Sequence, residues 1–250
     1  MQGAEISTLL LRTLRLYHEP VAVYLLRKAD PSFETFSRPR NRLSICQIVA
    51  HVREVGEGVL LRPEGLHCQT AAFVCGFPFR EERVKKTLYK FLQPEAAERL
   101  YSSRSRLPAG EFEALAFSPL DRAESPPEVL LLVVDALQAA HLLDFYLLGS
   151  GASEIPLTHY PNAAVCGSMV KAYLEQKPVM SLPCPGAFSS GKMDRGELFL
   201  AFPWKAFEVV IRVLEDKARK GQVSFLGGPR LVGEDICRNC PLIAFRSEKG

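Results

Sequence analysis

Residues 44–61, SICQIVAHVREVGEGVLL, contain the unit on which the fold prediction rests. Ser44 is a favoured helix N-cap, and the apolar residues after it recur at the three- and four-residue spacing of a helix. Gly56 is a favourable residue for ending that helix, and the apolar run Val59–Leu61 follows at the length of a short strand. The stretch therefore predicts a helix, a turn and a strand, with Cys46 in the first turn of the helix.

The second half of the chain repeats this order of elements. Residues 164–176 are predicted to form a helix that is followed by another short strand. Aligning Cys46 with Cys166 also aligns the two predicted strands, and a four-residue insertion then brings Cys68 onto Cys184. We interpret the match as a diverged internal duplication. The alternative is that any chain of mixed helices and strands offers some order that can be aligned.

The predicted fold class is α+β, with two pseudo-symmetric α/β units, derived from the duplication, that share one core. A single domain is expected over residues 1–250. Its parts are a first unit at 1–118 with a helical insertion at 80–104, a second unit at 119–220, and a C-terminal tail at 221–250 that carries a CxxC motif.

Composition and charge narrow the class of protein. The 250 residues are 47% hydrophobic and 24% charged, which excludes a disordered or collagen-like chain. Lys and Arg total 31 against 28 Asp and Glu, so the net charge of +3 predicts no nucleic-acid partner. The apolar run from Val129 is broken by Asp135, well short of the roughly 20 residues that span a bilayer. The N-terminus, with Arg12 and Arg15 inside its apolar stretch, does not resemble a secretory signal.

We therefore expect a cytoplasmic protein without a membrane partner, in which the seven cysteines are kept reduced. Cys46 and Cys166 lie just inside predicted helix N-termini, where free N–H groups favour the thiolate form. Cys184 lies between two prolines on a predicted turn, and Cys68 occupies the matching turn of the first unit. Cys75 has no counterpart and is interpreted as a packing residue.

Pseudo-twofold symmetry would gather these two helix-terminal and two turn cysteines into one place. Four thiolates are the ligands that an iron-sulfur cluster needs, so the predicted metal ligands are Cys46, Cys68, Cys166 and Cys184. Zinc is the alternative metal, although its structural sites usually draw on closely spaced pairs and the spacings here are 22 and 18 residues. The accessory candidates are the tail pair Cys237 and Cys240 and the histidine His67 beside Cys68.

Three functions stay open at this point. The first is a redox or metallocofactor role built on an iron-sulfur cluster or another thiolate-ligated metal. The second is a thiol enzyme in which Cys46 or Cys166 is a nucleophile or half of a reversible disulfide. The third is a small-molecule-binding module whose cysteines pack the cleft between the units. The expected partner is an unknown small molecule or redox partner, and the sequence assigns no catalytic residue.

Five segments together carry a resemblance to a known family. They are Glu19-Pro-Val-Ala-Val-Tyr, Ser44-Ile-Cys-Gln, Cys68-Gln-Thr-Ala-Ala-Phe, Val165-Cys-Gly-Ser and Pro183-Cys-Pro-Gly. As a set they resemble the uncharacterised archaeal cysteine-rich (ArCR) family, domain of unknown function 169, over about residues 8–218. The resemblance implies that the same four cysteines belong to the family pattern. It implies no activity, and the tail cysteines lie outside the part of the chain that it covers.

Overall fold

The computed structural model describes residues 2–89, 93–155 and 162–220. The helices in this part of the chain are α1 (Gly3–Thr13), α2 (Ile45–Val55), α3 (Gln69–Val74), α4 (Glu81–Tyr89), α5 (Pro94–Ser103), α6 (Ala136–Ser150), α7 (Ala164–Glu175), α8 (Pro185–Ser190) and α9 (Trp204–Arg219). The strands are β1 (Val21–Leu26), β2 (Val59–Leu61), β3 (Ala114–Pro119), β4 (Val129–Val134), β5 (Val179–Ser181) and β6 (Leu198–Pro203).

The strands form one six-stranded sheet in the order β2-β3-β1-β4-β6-β5, and all neighbours are antiparallel. The predicted α+β class is therefore confirmed. The middle of the sheet is the pair β1 and β4, in which Ala22 lies opposite Leu130. The short strands β2 and β5 occupy the two edges.

The register is the same on both sides of the central pair. Val21 at the start of β1 lies opposite Pro119, and Val129 at the start of β4 lies opposite Pro203. At the edges, Val59 of β2 lies opposite Phe117, two residues before Pro119. Val179 of β5 likewise lies opposite the residue two positions before Pro203.

Apolar side chains cover both faces of the sheet. In β4, Val129, Leu131 and Val133 belong to one buried cluster, and the alternate residues Leu130, Leu132 and Val134 belong to another. Successive strand residues point to opposite faces, so the two clusters lie on the two sides of the sheet. This explains why the β4 sequence is apolar throughout. The larger cluster contains residues from both halves of the chain and includes the cysteine-bearing helices.

Local sequence signals set the ends of α2. Ser44 accepts a hydrogen bond from the backbone N–H of Gln47, whose side chain accepts in return from the N–H of Ser44. The helix ends at Gly56, which adopts φ 75°, a conformation that glycine takes without a Cβ penalty. The predicted start and end of this helix are confirmed.

The structure corrects the prediction that Cys68 and Cys184 lie on turns. Each cysteine is instead the N-cap of a six-residue helix, α3 after Cys68 and α8 after Cys184. In α8 the proline that follows the cysteine occupies the first helical position, where its missing N–H removes no helical hydrogen bond. Helices of this length have too few residues for their periodicity to be read from sequence.

The predicted helical insertion corresponds to α4 and α5, which are separated before Pro94. No helix in the described part of the chain is both long and apolar enough to cross a membrane. The tail at 221–250, with Cys237 and Cys240, lies outside the described residues.

Candidate thiol site

Four helix N-termini carry the four cysteines singled out from the sequence. Cys46 is the second residue of α2 and Cys166 the third residue of α7, whereas Cys68 and Cys184 precede the first residues of α3 and α8. Helix α7 contacts α2 and α3, and α8 contacts α2. All four cysteines belong to, or pack against, the larger apolar cluster, so the fold brings them into one region.

Cys46 and Cys184 influence each other's pKa more than any other pair of thiols in this region. Hydrogen bonding to the Cys46 thiol is the largest factor that lowers the pKa of Cys184, and the same interaction is the largest factor that raises the pKa of Cys46. The shifts have opposite signs because one sulfur donates and the other accepts. These opposite directions favour a state with the proton on Cys46 and the thiolate on Cys184.

Backbone N–H groups add to the stabilisation of the Cys184 thiolate. Gly186 and Ala187 of α8 and Ala164, the first residue of α7, all act as donors toward it and lower its pKa. The hydrogen bond from Cys46, the largest cause, together with these backbone donors outweighs the effect of burial, and the pKa of Cys184 falls from 9.0 to about 5. Two helices that are distant in sequence thus supply the free N–H groups of their first turns to one sulfur.

The other three thiols in the described part of the chain have pKa values raised above the ordinary value. Burial is the largest cause that raises the pKa of Cys68, Cys75 and Cys166. At Cys166 the guanidinium of Arg104 opposes this increase without overcoming it. The expectation of low pKa values at Cys46 and Cys166 was therefore wrong: the hydrogen bond to Cys184 is the largest cause that raises the pKa of Cys46, and burial is the largest cause at Cys166.

A buried arginine holds α8 against α2. The side chain of Arg53, which is 1% exposed, donates from Nη2 to the carbonyl oxygens of Gly191 and Lys192 just beyond the end of α8. Gly191 allows this approach, because a Cβ at that position would lie 3.1 Å from the Cβ of Cys46 and 2.7 Å from the carbonyl oxygen of Ala187. Arg53 and Gly191 thereby hold the helices of the Cys46–Cys184 pair together. Neither residue was identified from the sequence.

Apolar side chains surround the segment that presents Cys184. Cys184 itself is 5% exposed, whereas Leu182 and Phe188 are 47% and 48% exposed. Cys46 is half-buried and is the more accessible sulfur of the pair. His67, the accessory candidate, is exposed and has no assigned role in the pair.

Among residues 2–89, 93–155 and 162–220, no three His, Cys, Asp or Glu side chains are grouped so that they could hold a metal ion. The five cysteines of these ranges are free thiols. Iron-sulfur and zinc ligation by the four cysteines stays a prediction.

Fold and site define an α+β protein in which a two-sided antiparallel sheet supports a buried group of thiols at helix N-termini. The model of the family described as DUF169, uncharacterised ArCR, matches residues 9–212. The chain therefore belongs to this family. The resemblance seen in the five sequence segments is thus confirmed. No protein of curated function and no solved structure matches the chain.

Proposed function

We propose that the protein is a thiol redox protein in which Cys46 and Cys184 alternate between a dithiol and a disulfide. The observation that carries the proposal is the packing of α8 on α2, with Gly191 of the α8 segment close to Cys46. The opposite pKa shifts of Cys46 and Cys184, whose largest cause is their mutual hydrogen bond, support it. The thiolate is the nucleophilic form of cysteine, and Cys184 is held in that form at neutral pH. Cys46 is hydrogen-bonded to Cys184 and carries a proton. It can donate this proton to the group that leaves when Cys184 attacks an oxidant.

A small hydroperoxide is the proposed oxidant. The Cys184 thiolate attacks the terminal oxygen, the O–O bond breaks, and the departing alkoxide takes the proton of Cys46. Cys184 is then a sulfenic acid, the first and reversible step of thiol oxidation. The Cys46 thiolate attacks the Cys184 sulfur and displaces hydroxide, which completes the disulfide. One hydroperoxide is reduced to an alcohol and hydroxide, and two sulfurs are oxidised.

Burial is the reason to propose a small oxidant. Cys184 is 5% exposed, which leaves little room for the in-line approach of a protein disulfide to its sulfur. A hydroperoxide has a reacting end of two oxygen atoms. The apolar surroundings of the pair, including Ala164 and Ala187, also keep the thiolate weakly hydrated and hence reactive.

The test is oxidation of the fully reduced protein with one equivalent of hydroperoxide. We expect two thiols to be lost per chain and mass spectrometry to find the peptides of Cys46 and Cys184 joined. Cys46→Ser should stop at a sulfenic acid on Cys184, detectable with a sulfenate-specific nucleophile. Cys75→Ser, which removes a buried thiol outside the pair, is the matched control and should behave as the wild type. Oxidation at other cysteines first, with the pair left reduced, would refute the proposal.

A second candidate function is binding of an iron-sulfur cluster or zinc by Cys46, Cys68, Cys166 and Cys184. The observation in its favour is that four helix N-termini direct four cysteines into one apolar region. The test is anaerobic reconstitution with iron and sulfide, and separately with zinc. Single serine substitutions of the four should each lower the bound metal sharply, whereas Cys75→Ser should not. A protein that binds no stoichiometric metal would exclude this function.

We also propose that the two halves descend from a duplication. In the central pair Val21 lies opposite Leu131 and Val23 opposite Val129, so a half-turn about Ala22 and Leu130 exchanges the two strands. The equal registers of the outer strands support the same relation. An experimental structure should superpose residues 20–68 on 127–184. Unrelated paths of the two segments would refute the duplication.

A cytoplasmic location is part of the proposal, since a cycling dithiol requires a compartment that reduces disulfides. The proposed partners are accordingly a small oxidant and an external dithiol reductant.

A further inference from the structure

Helix α6 carries almost no charge, although one of its sides is exposed. In its sequence, ALQAAHLLDFYLLGS, Asp144 is the one side chain that is formally charged at neutral pH. The adjoining helix α9 places Lys205, Glu208 and Arg212 in solvent, as an ordinary surface helix does. A helix that is apolar on all its sides is normally covered on all of them, so the composition of α6 indicates a partner for its outer side.

The outer side of α6 consists of one stripe. Leu137 and Leu148 are 48% and 67% exposed, Asp144 is exposed, and His141 is half-buried. Their spacing of four, three and four residues places them above one another along the helix, as in the seam of a coiled coil. The buried residues between them supply the other side, which packs on α9 and on the strands β4 and β6.

The stripe is symmetric about its midpoint, which lies between residues 142 and 143. Leu137 and His141 precede this point by the same distances at which Leu148 and Asp144 follow it. We propose that α6 pairs antiparallel with α6 of a second copy of this chain, about a twofold axis through that midpoint. Leu137 then faces Leu148 of the second copy, and His141 faces its Asp144. The twofold axis repeats both contacts, so one stripe is complementary to itself.

The charged residue determines the orientation of the two helices. In a parallel pair each residue would meet its own copy, which would set Asp144 against Asp144. Like charges across an interface are unfavourable. In the antiparallel pair the imidazole of His141 faces the carboxylate of Asp144 on both sides of the axis, and an imidazole N–H can donate to a carboxylate. A second copy is therefore the occupant that this stripe favours.

The proposed interface is separate from the thiol site. Helix α6 contributes to the smaller of the two apolar clusters described above, on one side of the sheet. Cys184 belongs to the larger cluster on the other side, and Cys46 packs against it. Pairing through α6 thus leaves the thiol pair uncovered and does not rest on the proposed reaction. One pair of helices is a small interface, so the dimer should form in a concentration-dependent manner.

Sedimentation velocity of the reduced, full-length protein over about 1–200 µM tests the self-association. We expect the wild type to pass from monomer towards dimer in this range. Leu137→Asp combined with Leu148→Asp should weaken the dimer at least about 100-fold, because it sets carboxylates against each other in place of leucines. Leu174→Asp is the matched control, since Leu174 is a 44% exposed leucine near the end of α7. It should associate like the wild type, and circular dichroism checks that all three proteins keep their helices.

Cross-linking tests the orientation. In Leu137→Cys combined with Leu148→Cys, the two positions of one helix are roughly 16 Å apart along its axis at ~1.5 Å per residue. A disulfide cannot bridge that distance within one chain. Mild oxidation should therefore join position 137 of one copy to position 148 of the other. Mass spectrometry of chymotryptic peptides identifies the link, because Phe145 and Tyr146 provide cleavage sites between the two positions.

Each outcome supports or overturns the inference. A wild type that stays monomeric over the whole range would overturn it, even if another protein bound α6. Equal association of the double aspartate variant would show that α6 is not the interface. Links from 137 to 137 and from 148 to 148 would show parallel pairing. The double aspartate variant should still form the Cys46–Cys184 disulfide, so a failure of the thiol reaction would leave this inference intact.

Discussion

Arg53 in α2 donates a hydrogen bond of 3.3 Å from Nη2 to the carbonyl oxygen of Gly191, the residue that ends α8. The same nitrogen also donates to the carbonyl oxygen of Lys192. The contact joins residues 138 positions apart: Arg53 is near the C-terminal end of α2, and Gly191, which ends α8, lies close to Cys46. We infer that this arginine positions the thiol pair without touching either sulfur.

The first prediction therefore concerns Arg53→Met. Removal of the guanidinium leaves two carbonyl oxygens without their donor, which should lower the free energy of unfolding by about 2–4 kcal/mol. The looser helix pair should also raise the pKa of Cys184 from about 5, measured by thiolate ultraviolet absorbance. Arg53→Lys keeps the positive charge but lacks the planar guanidinium group. It should have a smaller effect on both the free energy of unfolding and the pKa of Cys184.

Arg42→Met is the matched control, because Arg42 is exposed and precedes the same helix. It should change the free energy of unfolding by less than about 0.5 kcal/mol. An Arg53→Met protein with normal stability and an unchanged Cys184 titration would contradict the positioning role.

The second prediction compares two glycines of the α8 segment. Gly191→Ala should cost about 1–3 kcal/mol, because its Cβ would contact the Ala187 carbonyl oxygen at 2.7 Å and Cys46 at 3.1 Å. Gly186→Ala should be tolerated, since its Cβ would meet only the Cys184 sulfur at 3.9 Å. Chemical denaturation of both variants measures the difference, and equal stability would show that α8 does not need the close approach at Gly191.

The third prediction concerns the pH dependence of the thiolate. Cys184 has its pKa lowered to about 5, so its thiolate should persist at neutral pH and disappear as the pH falls through about 5. The thiolate absorbance that Cys184→Ser removes should follow this titration. Cys46→Ala should raise the midpoint, because the main donor to the thiolate is lost. A midpoint near that of an ordinary cysteine in the wild type would contradict the assignment.

The fourth prediction concerns the contribution of the C-terminal tail to the stability of the fold. Deletion of residues 235–250 should change the melting temperature by less than about 3 °C, equivalent to under ~1 kcal/mol for a chain of this size. The family match ends at residue 212, before the tail begins. The shortened protein should still form the Cys46–Cys184 disulfide. A large loss of melting temperature would show that the tail clamps the fold.

The sequence by itself determined the elements whose signals are local. Ser44 and Gly56 delimit α2 because a side-chain cap and a left-handed glycine act within a few residues of the helix ends. The apolar run Val129–Val134 has the length of a strand and forms β4, and only the structure shows that both of its faces are buried. The positions of Cys46 and Cys166 in first helical turns followed from the same local patterns.

Only the tertiary structure decided which sulfur is ionised. Local position favoured Cys46 and Cys166, yet burial raises the pKa of Cys166 and Cys46 gives its hydrogen bond to Cys184. The donors that lower the pKa of Cys184 include Ala164, which lies on another helix. Burial and donor contacts of this kind depend on which helices pack together, and the Arg53–Gly191 contact that unites α2 with α8 has no local signal in the sequence. A pKa reflects the whole environment of a group, whereas a cap reflects its neighbours along the chain.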